Sequence, residues 1–296
     1  MQHTDPTFEE HRPSLLGLAY RLLGSMWDAE DVVQDAYLRW TNADRPSIRE
    51  PRAFLITVVT HLALDQLRSA RITRAAYVGP WLPEPAATDD LGPMETAELR
   101  DTVAFATLHL MERLSPPERA VFVLREAFDL PYDDITRITG TSAAACRQTY
   151  QRARQRLTDG HERFHPSRQD HTRLLAGFLE AAEGGDLSAL TALLTDDVTS
   201  WTDGGGAVRQ ALRPIAGPRK VAAFWIGLFR RYETSRGRLI DVNGGVGLSM
   251  SIGRQHQVLI LAVRDQHIHD IFSVLSPVKL SRTQAREAPS ASPSRR

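Results

Sequence analysis

Between Asp28 and Trp40 the chain reads DAEDVVQDAYLRW, where Ala29, Val32, Val33, Ala36, Tyr37 and Trp40 recur at helical spacing and Asp28, Asp31 and Asp35 gather on another face. One face is built to pack; the other displays negative charge. The preceding LLGLAYRLLGS is an apolar helix that Gly24 and Ser25 break, and Pro13 either kinks or starts it. Beyond a turn at Arg45 and Pro46, PRAFLITVVTHLALDQLRSARITR is apolar on most sides but keeps Thr57, Thr60, His61, Asp65 and Arg68 near one stripe. A mostly buried helix with one polar stripe presents that stripe to something. Residues 8–78 are thus expected to form one helical domain.

From Gly79 the sequence runs GPWLPEPAATDDLGP, whose prolines exclude a long helix and whose acids predict a solvated linker over 79–94. A helical pattern resumes near Glu95, and Ser115, Pro116 and Glu118 supply an N-cap, a first-turn proline and a capping-box acid. A short helix DDITRIT, a turn at Gly140 and Thr141, and a second helix capped by Thr141 or Ser142 predict a helix-turn-helix within 95–160. On that second helix Cys146, Thr149, Tyr150, Ala153 and Leu157 face the core. Arg147, Gln148, Gln151, Arg152 and Arg154 face outward, residue types that suit base edges and phosphates. The competing reading is a helical hairpin that binds protein.

After HERFHPSRQDH, a second linker at 161–170, the pattern changes character. Two short helices broken at Gly184 and Gly185 precede a strand, VTSWT, ended by DGGG. An amphipathic helix then buries Val221, Phe224, Trp225, Leu228, Phe229 and Tyr232. RLIDV, GVGLSMSI, HQVLILAVR and HIHDIFSVL read as consecutive strands of an antiparallel sheet. Residues 171–280 are expected to be an α+β domain and 281–296 a disordered polar tail. The whole is multidomain, two all-α units followed by an α+β unit.

Composition changes little. The length of 296 residues exceeds one compact core, and 36 basic against 36 acidic residues hide acidic and arginine-rich segments that lie apart along the chain. The single cysteine, Cys146, excludes an intrachain disulfide and a cysteine-based zinc site; it reads as a small core residue rather than a redox sensor. With neither a secretory leader nor a membrane span in the pattern, a soluble cytoplasmic protein without metal or cofactor is expected.

DAEDVVQDAYLRW, FLITVVTHLALDQLRSAR and the helix-turn-helix together resemble regions 2 and 4 of an extracytoplasmic-function (ECF) RNA polymerase sigma factor. The match is to the SigJ-type subgroup, whose sigma portion continues into a SnoaL-like domain, a cone of curved sheet and helices. WLPEP at Trp81, Leu82, Pro83, Glu84 and Pro85, DGGG at Asp203, Gly204, Gly205 and Gly206, and PVKL at 277–280 resemble the subgroup's markers in the right order. Departures are Ala207 for a lysine after the glycines, and Ser276 and Val278 for an asparagine and an aspartate.

The resemblance implies that Asp28, Asp31 and Asp35 dock on core RNA polymerase, where rim charges steer and orient. It implies that Thr60, His61, Arg68, Arg71 and Arg74 meet the opened −10 element of promoter DNA, and that Arg147, Gln148, Gln151, Arg152 and Arg154 meet the −35 element. Arg147, Gln148 and Gln151 suit base edges; Arg152, Arg154 and Arg156 suit phosphates. His61 stands where members often carry asparagine, and a partly buried structural histidine is the alternative. Asp65 is expected to orient Arg68 or cap backbone.

For the C-terminal cone, fold does not choose between enzyme and noncatalytic module. An acid–base pair for catalysis would have to come from His256, His267, His269, Asp270 and Asp203, which strand alternation keeps from all converging; ordinary polar side chains on the outside of a sheet are the simpler reading. The glycines after Asp203 permit positive φ and close approach of another segment, as docking on the linker requires. The expectation is a sigma factor regulated by its own tail domain. The alternative is a DNA-binding regulator whose tail senses a small ligand or acts as an isomerase- or cyclase-like enzyme.

Overall fold

The computed structural model describes residues 5–91, 100–158, 167–235 and 237–287, without the side chains of 70–73, 75, 158 and 285–287. Helix α1 (Pro6–Leu23) is capped by Asp5, which accepts from the Thr7 and Phe8 amides at 3.0 and 3.2 Å. It contains Pro13 within its span and ends at Gly24, whose φ of 70° closes the helix in the left-handed conformation. Ser25 caps α2 (Met26–Thr41), and α3 (Pro51–Ala75) completes a three-helix bundle. Leu15, Leu18, Leu22, Val32, Val33, Leu55 and Val59 are sealed between these helices; each such burial contributes roughly 1.5–3 kcal/mol.

Helices α4 (Phe105–Met111), α5 (Pro116–Glu126), α6 (Tyr132–Thr139) and α7 (Ala143–Thr158) follow. Ser115 and Glu118 bond reciprocally at the start of α5, with the Ser115 amide donating to Glu118 at 2.9 Å. Gly140 ends α6 with φ 69°, and Ser142 accepts from the Ala145 amide at 3.2 Å to cap α7. This is the anticipated helix-turn-helix. The anticipated helix near Glu95 begins outside the described residues.

The last third holds α8 (Arg168–Gly184), α9 (Leu187–Ala192), β1 (Leu194–Asp203), β2 (Ile215–Ala216), α10 (Pro218–Arg231), β3 (Arg238–Val242), β4 (Gly245–Ile252), β5 (Gln255–Arg264), β6 (His267–Val274) and α11 (Pro277–Glu287). Strand order is β2-β1-β6-β5-β4-β3. The expected all-antiparallel sheet is corrected: β1 runs parallel to β6. After β1 the chain crosses by way of α10 to the far edge and returns through three antiparallel reversals, which lays β6 beside β1 in the same direction. Helices α8, α9 and α10 cover one face over Phe178, Trp225, Leu248, Leu259 and Ile271, giving the expected α+β domain.

Two further expectations are corrected. The segment 81–86 is no solvated linker: Leu82, Glu84 and Ala86 are at most 2% exposed, because this strap is clamped between the helical domains and the second face of the sheet. The supposed disordered tail is helical as far as Glu287: α11 starts at a proline, buries Leu280 and places Lys279 and Arg282 on partners across the molecule. Residues 288–296 lie outside those described.

Candidate nucleic-acid interface and domain junction

On α2, Ala29, Val32, Val33, Ala36 and Trp40 are buried, while Asp31 and Asp35 are exposed and Asp28 half-buried. The acidic face is therefore available, with one neighbour at its start. Arg282 of α11 pairs with Glu30 and lies 4.8 Å over the Trp27 ring. Glu84 of the strap accepts from the Met26 amide at 2.8 Å, placing a carboxylate at the positive end of α2. Burial raises the Glu84 pKa against the opposing effect of those amides and Arg282.

The stripe on α3 divides. Asp65 pairs with Arg68 at 2.9 Å, both exposed, and His61 is exposed but donates from Nε2 to the Ile138 carbonyl of α6 at 2.6 Å. Thr60 is fully buried and its hydroxyl has no hydrogen-bond partner among the described residues, so it does not belong to the outward stripe. Arg74 also turns inward. It donates to the Leu23 carbonyl at 2.7 Å, pairs with Glu112 and stacks 3.7 Å from the Trp81 ring, and burial lowers its pKa. A helix-end arginine is pulled in here because the tryptophan face and the α1 carbonyls offer it more than solvent does. The Arg71 side chain lies outside those described.

On α7, Cys146, Tyr150 and Ala153 are buried against the hairpin, and Arg147, Gln148, Gln151, Arg152 and Arg154 are all exposed. Arg147 lies 5.7 Å from the Tyr132 ring and Arg152 reaches Thr149 at 3.3 Å. Arg156 instead pairs with Glu118 at 2.9 Å. The exposed row offers two amides and three guanidinium groups on a helix free to enter a groove.

The junction converges on Asp203, which is fully buried at the end of β1. Its carboxylate accepts from Tyr77 (2.7 Å), the Leu82 amide (2.8 Å), the Gly205 amide (2.9 Å) and Lys279 (2.6 Å). Lys279 also donates to the Leu82 carbonyl and faces the Trp81 ring at 4.1 Å; burial lowers its pKa while Asp203 opposes that. The Tyr77 hydroxyl is pushed above its ordinary range by burial and by the carboxylate. Gly205 and Gly206 have φ of 65° and 73°, and a Cβ on Gly205 would sit 2.7 Å from Ser276 Oγ, so the loop needs glycine on both counts. Pro83 is buried with its neighbours.

A second knot forms at Asn243, in the β3–β4 turn. Its amide donates to Tyr20 Oη at 2.6 Å and to the Val103 carbonyl at 3.0 Å, and its oxygen accepts from the Ala86 amide at 3.2 Å. The sheet's second face completes the contact, with Phe105 on Phe272 at 5.2 Å and His109 on Trp201 at 4.6 Å. Sequence reading missed Tyr77 and Asn243, and it carried Glu84 and Lys279 only as members of the WLPEP and PVKL markers, with no partner assigned to either. An asparagine before glycine signals only a turn, and a lysine at a helix start signals nothing about an acid 76 positions away.

Asp270 accepts from Trp201 Nε1 at 2.9 Å, and burial raises its pKa. His269 lies 3.6 Å from Asp270 and 3.4 Å from Asp197. His256 contacts Ser249, and His267 is exposed. Of the five candidate acid–base residues, His269 and Asp270 thus meet, while Asp203 sits in the junction, His256 against Ser249 and His267 in solvent. No group of three metal-ligating side chains, and no helix long and apolar enough to cross a membrane, occurs among the described residues.

Residues 7–72 match the Sigma-70 region 2 family and residues 104–157 match Sigma-70 region 4, which are the α1–α3 bundle and the α4–α7 unit just described. The chain belongs to the ECF RNA polymerase sigma factors, non-enzymatic transcription factors. It is 35% identical to the ECF RNA polymerase sigma factor SigJ of Mycobacterium tuberculosis, over 95% of this chain and 94% of that one. It is also 35% identical to a probable sigma factor, SigI, of the same species, over 69% of this chain and 72% of that one. The crystal structure of the M. tuberculosis SigJ matches at TM-score 0.75 and 33% identity, covering 93% of this chain and 97% of that chain. The three-part architecture, cone included, is shared with it.

Proposed function

We propose that this chain binds core RNA polymerase through the acidic face of α2, with Asp28, Asp31 and Asp35 as the docking charges. On this reading it directs initiation at promoters read by α3 and α7. His61, Arg68 and Arg71 meet the −10 element. Arg147, Gln148 and Gln151 read −35 base edges, and Arg152 and Arg154 hold phosphates. Polymerase and chromosome place this work in the cytoplasm of a bacterium. The tail domain performs no chemistry in this reading and acts as a tethered regulator that fixes the spacing of the two DNA-reading helices. A tether keeps it at roughly millimolar effective concentration, so individually weak contacts suffice.

The observation that carries the regulatory part is that tail residues hold both ends of the strap that joins the two helical domains, Asp203 and Lys279 at Leu82 and Asn243 at Ala86. In this arrangement α3 and α6 touch through His61 and Ile138. A −10 and a −35 element lie about 25 base pairs apart, or about 85 Å at roughly 34 Å per helical turn. The contact cannot persist on a promoter, so the clamped chain is the closed state and initiation requires it to open.

The test is run-off transcription with purified core polymerase on the gene's own upstream region. Specific transcripts from the wild type, lost in Asp31→Arg and in Arg147→Ala, are expected. Duplex binding without any polymerase-dependent transcript would instead identify a repressor. Deleting everything after Ser167 should change promoter output; unchanged output would remove the tail's regulatory role.

A further inference from the structure

The cone holds a cavity of about 780 Å³ between α10 and the concave face of the sheet, within the size range of small-molecule sites. Phe224, Trp225, Leu228 and Leu275 give it apolar walls. Its buried polar set is Thr202, Gln257 and Ser273. Ser273 donates to Gln257 Oε1 at 2.6 Å, and among the described residues neither Gln257 Nε2 nor Thr202 Oγ1 has a hydrogen-bond partner, on residues 2% and 5% exposed. Three arginines, Arg209, Arg231 and Arg254, line it at exposed positions, and no Asp, Glu or His among the described residues does so. Unpartnered polar groups in a low-dielectric wall favour a ligand that brings its own oxygen. Guanidinium groups at the mouth that form no ion pair among the described residues favour an anion, and the described lining offers no acid–base pair for turnover.

One lining residue connects this cavity to the domain junction. Gln210 donates from Nε2 to the Val78 carbonyl at 2.8 Å, and its oxygen accepts from the Gly204 amide beside Asp203. Thr202, whose hydroxyl lacks a partner, immediately precedes Asp203. Whatever fills the cavity therefore presses on the side chain that holds the start of the strap.

We propose that the cone binds a hydrophobic carboxylic acid, an aromatic or fused-ring body carrying one carboxylate, and that occupancy loosens the strap by drawing Gln210 off Val78. The binding half stands on the cavity alone. The signalling half rests on the tail acting as a regulator.

Isothermal titration of the full chain with 2-naphthoate, with uncharged 2-naphthalenemethanol as comparison, tests the binding half. Saturable one-to-one binding of naphthoate is expected, at least about tenfold weaker for the alcohol and for Arg231→Gln/Arg254→Gln, the usual order for loss of a charge-assisted contact. Gly227→Phe should abolish it, since a Cβ at this lining position meets nothing within 4 Å and a phenyl ring there fills the cavity; Ala223→Trp serves as a second plug if that variant unfolds early. No saturable binding, equal binding of the alcohol, or binding that survives a folded plug variant would overturn the site. For the signalling half, saturating naphthoate should raise amide exchange at 76–83, and Gln210→Ala should show the raised exchange with no ligand and no further change with it. Exchange unmoved by ligand overturns the coupling. Neither readout involves polymerase, so failure here is distinct from failure of the transcription assay.

Discussion

Two carboxylates of this chain show how position sets the worth of a charge. Asp65 meets Arg68 in solvent, where such a pair contributes about 0–1 kcal/mol. Asp203 meets Lys279 with both side chains almost wholly enclosed, at 0% and 11% exposed. Removing one partner there strands the other in low dielectric, a loss of roughly 3–5 kcal/mol. Asp203→Asn is accordingly predicted to destabilise the chain by a few kcal/mol in urea unfolding. Asp203→Asn/Lys279→Met should cost less than the sum of the singles, because the lysine is no longer stranded. Additive costs would show that the pair is not coupled. His171, half-buried on α8 and donating to the Leu261 carbonyl at 3.0 Å, has its pKa lowered from 6.5 chiefly by desolvation. Its depressed folded pKa means that the unfolded chain binds the extra proton first. Its share of stability is therefore intact above pH 6.5 and shrinks as pH falls below that value. His171→Gln should flatten that part of the unfolding midpoint against pH; an unchanged slope would assign it to other groups.

At the scale of elements, the helical pattern was the most legible layer of the sequence. The breaks at Gly24 and Gly140 and the capping pair Ser115–Glu118 act through local backbone chemistry that a short window contains. The packing face of α7, and with it the exposed row, followed from the same spacing. Reading failed where partners are distant in the chain. Arg74 and Thr60 look like surface residues of α3 until Trp81 and the neighbouring helices are in place, and the chain from Ser281 onward looks like a polar tail until Arg282 meets Glu30 and Trp27. For α7 the roles divide measurably. Arg147→Ala should cost about 1–3 kcal/mol of promoter binding and relax sequence preference at one base pair. Arg152→Gln and Arg154→Gln should weaken all DNA alike and each lower the slope of log affinity against log salt by about one. Fluorescence anisotropy on matched and scrambled −35 duplexes separates the two; uniform weakening in Arg147→Ala would reassign it to phosphate contact.

For the whole molecule, the order of three domains was legible because each has its own periodicity, whereas their mutual arrangement was not. The WLPEP strap carries prolines and an acid, the signature of a solvated linker, yet Glu84 is 1% exposed because α2 offers it free amides, Tyr20 and Gly24 take its backbone groups and Arg282 of α11 lies beside its carboxylate. Asn243 and Asp203 then tie α1, the strap and the approach to α4 into one closed body. The same contacts that enclose the apolar second face go with a direct contact between α3 and α6 through His61 and Ile138, which on the proposed reading must break before the −10 and −35 elements can be reached together.

The most direct measurement of that claim is the distance between fluorophores on the exposed faces of α3 and α7, followed in single molecules of the full chain, free and in complex with core polymerase and promoter. The account predicts a short distance in the free chain, a lengthened one in free Asp203→Asn, and a separation near 85 Å, about 25 base pairs at roughly 34 Å per turn, on the promoter. A free wild-type chain already at the promoter-bound distance would contradict it.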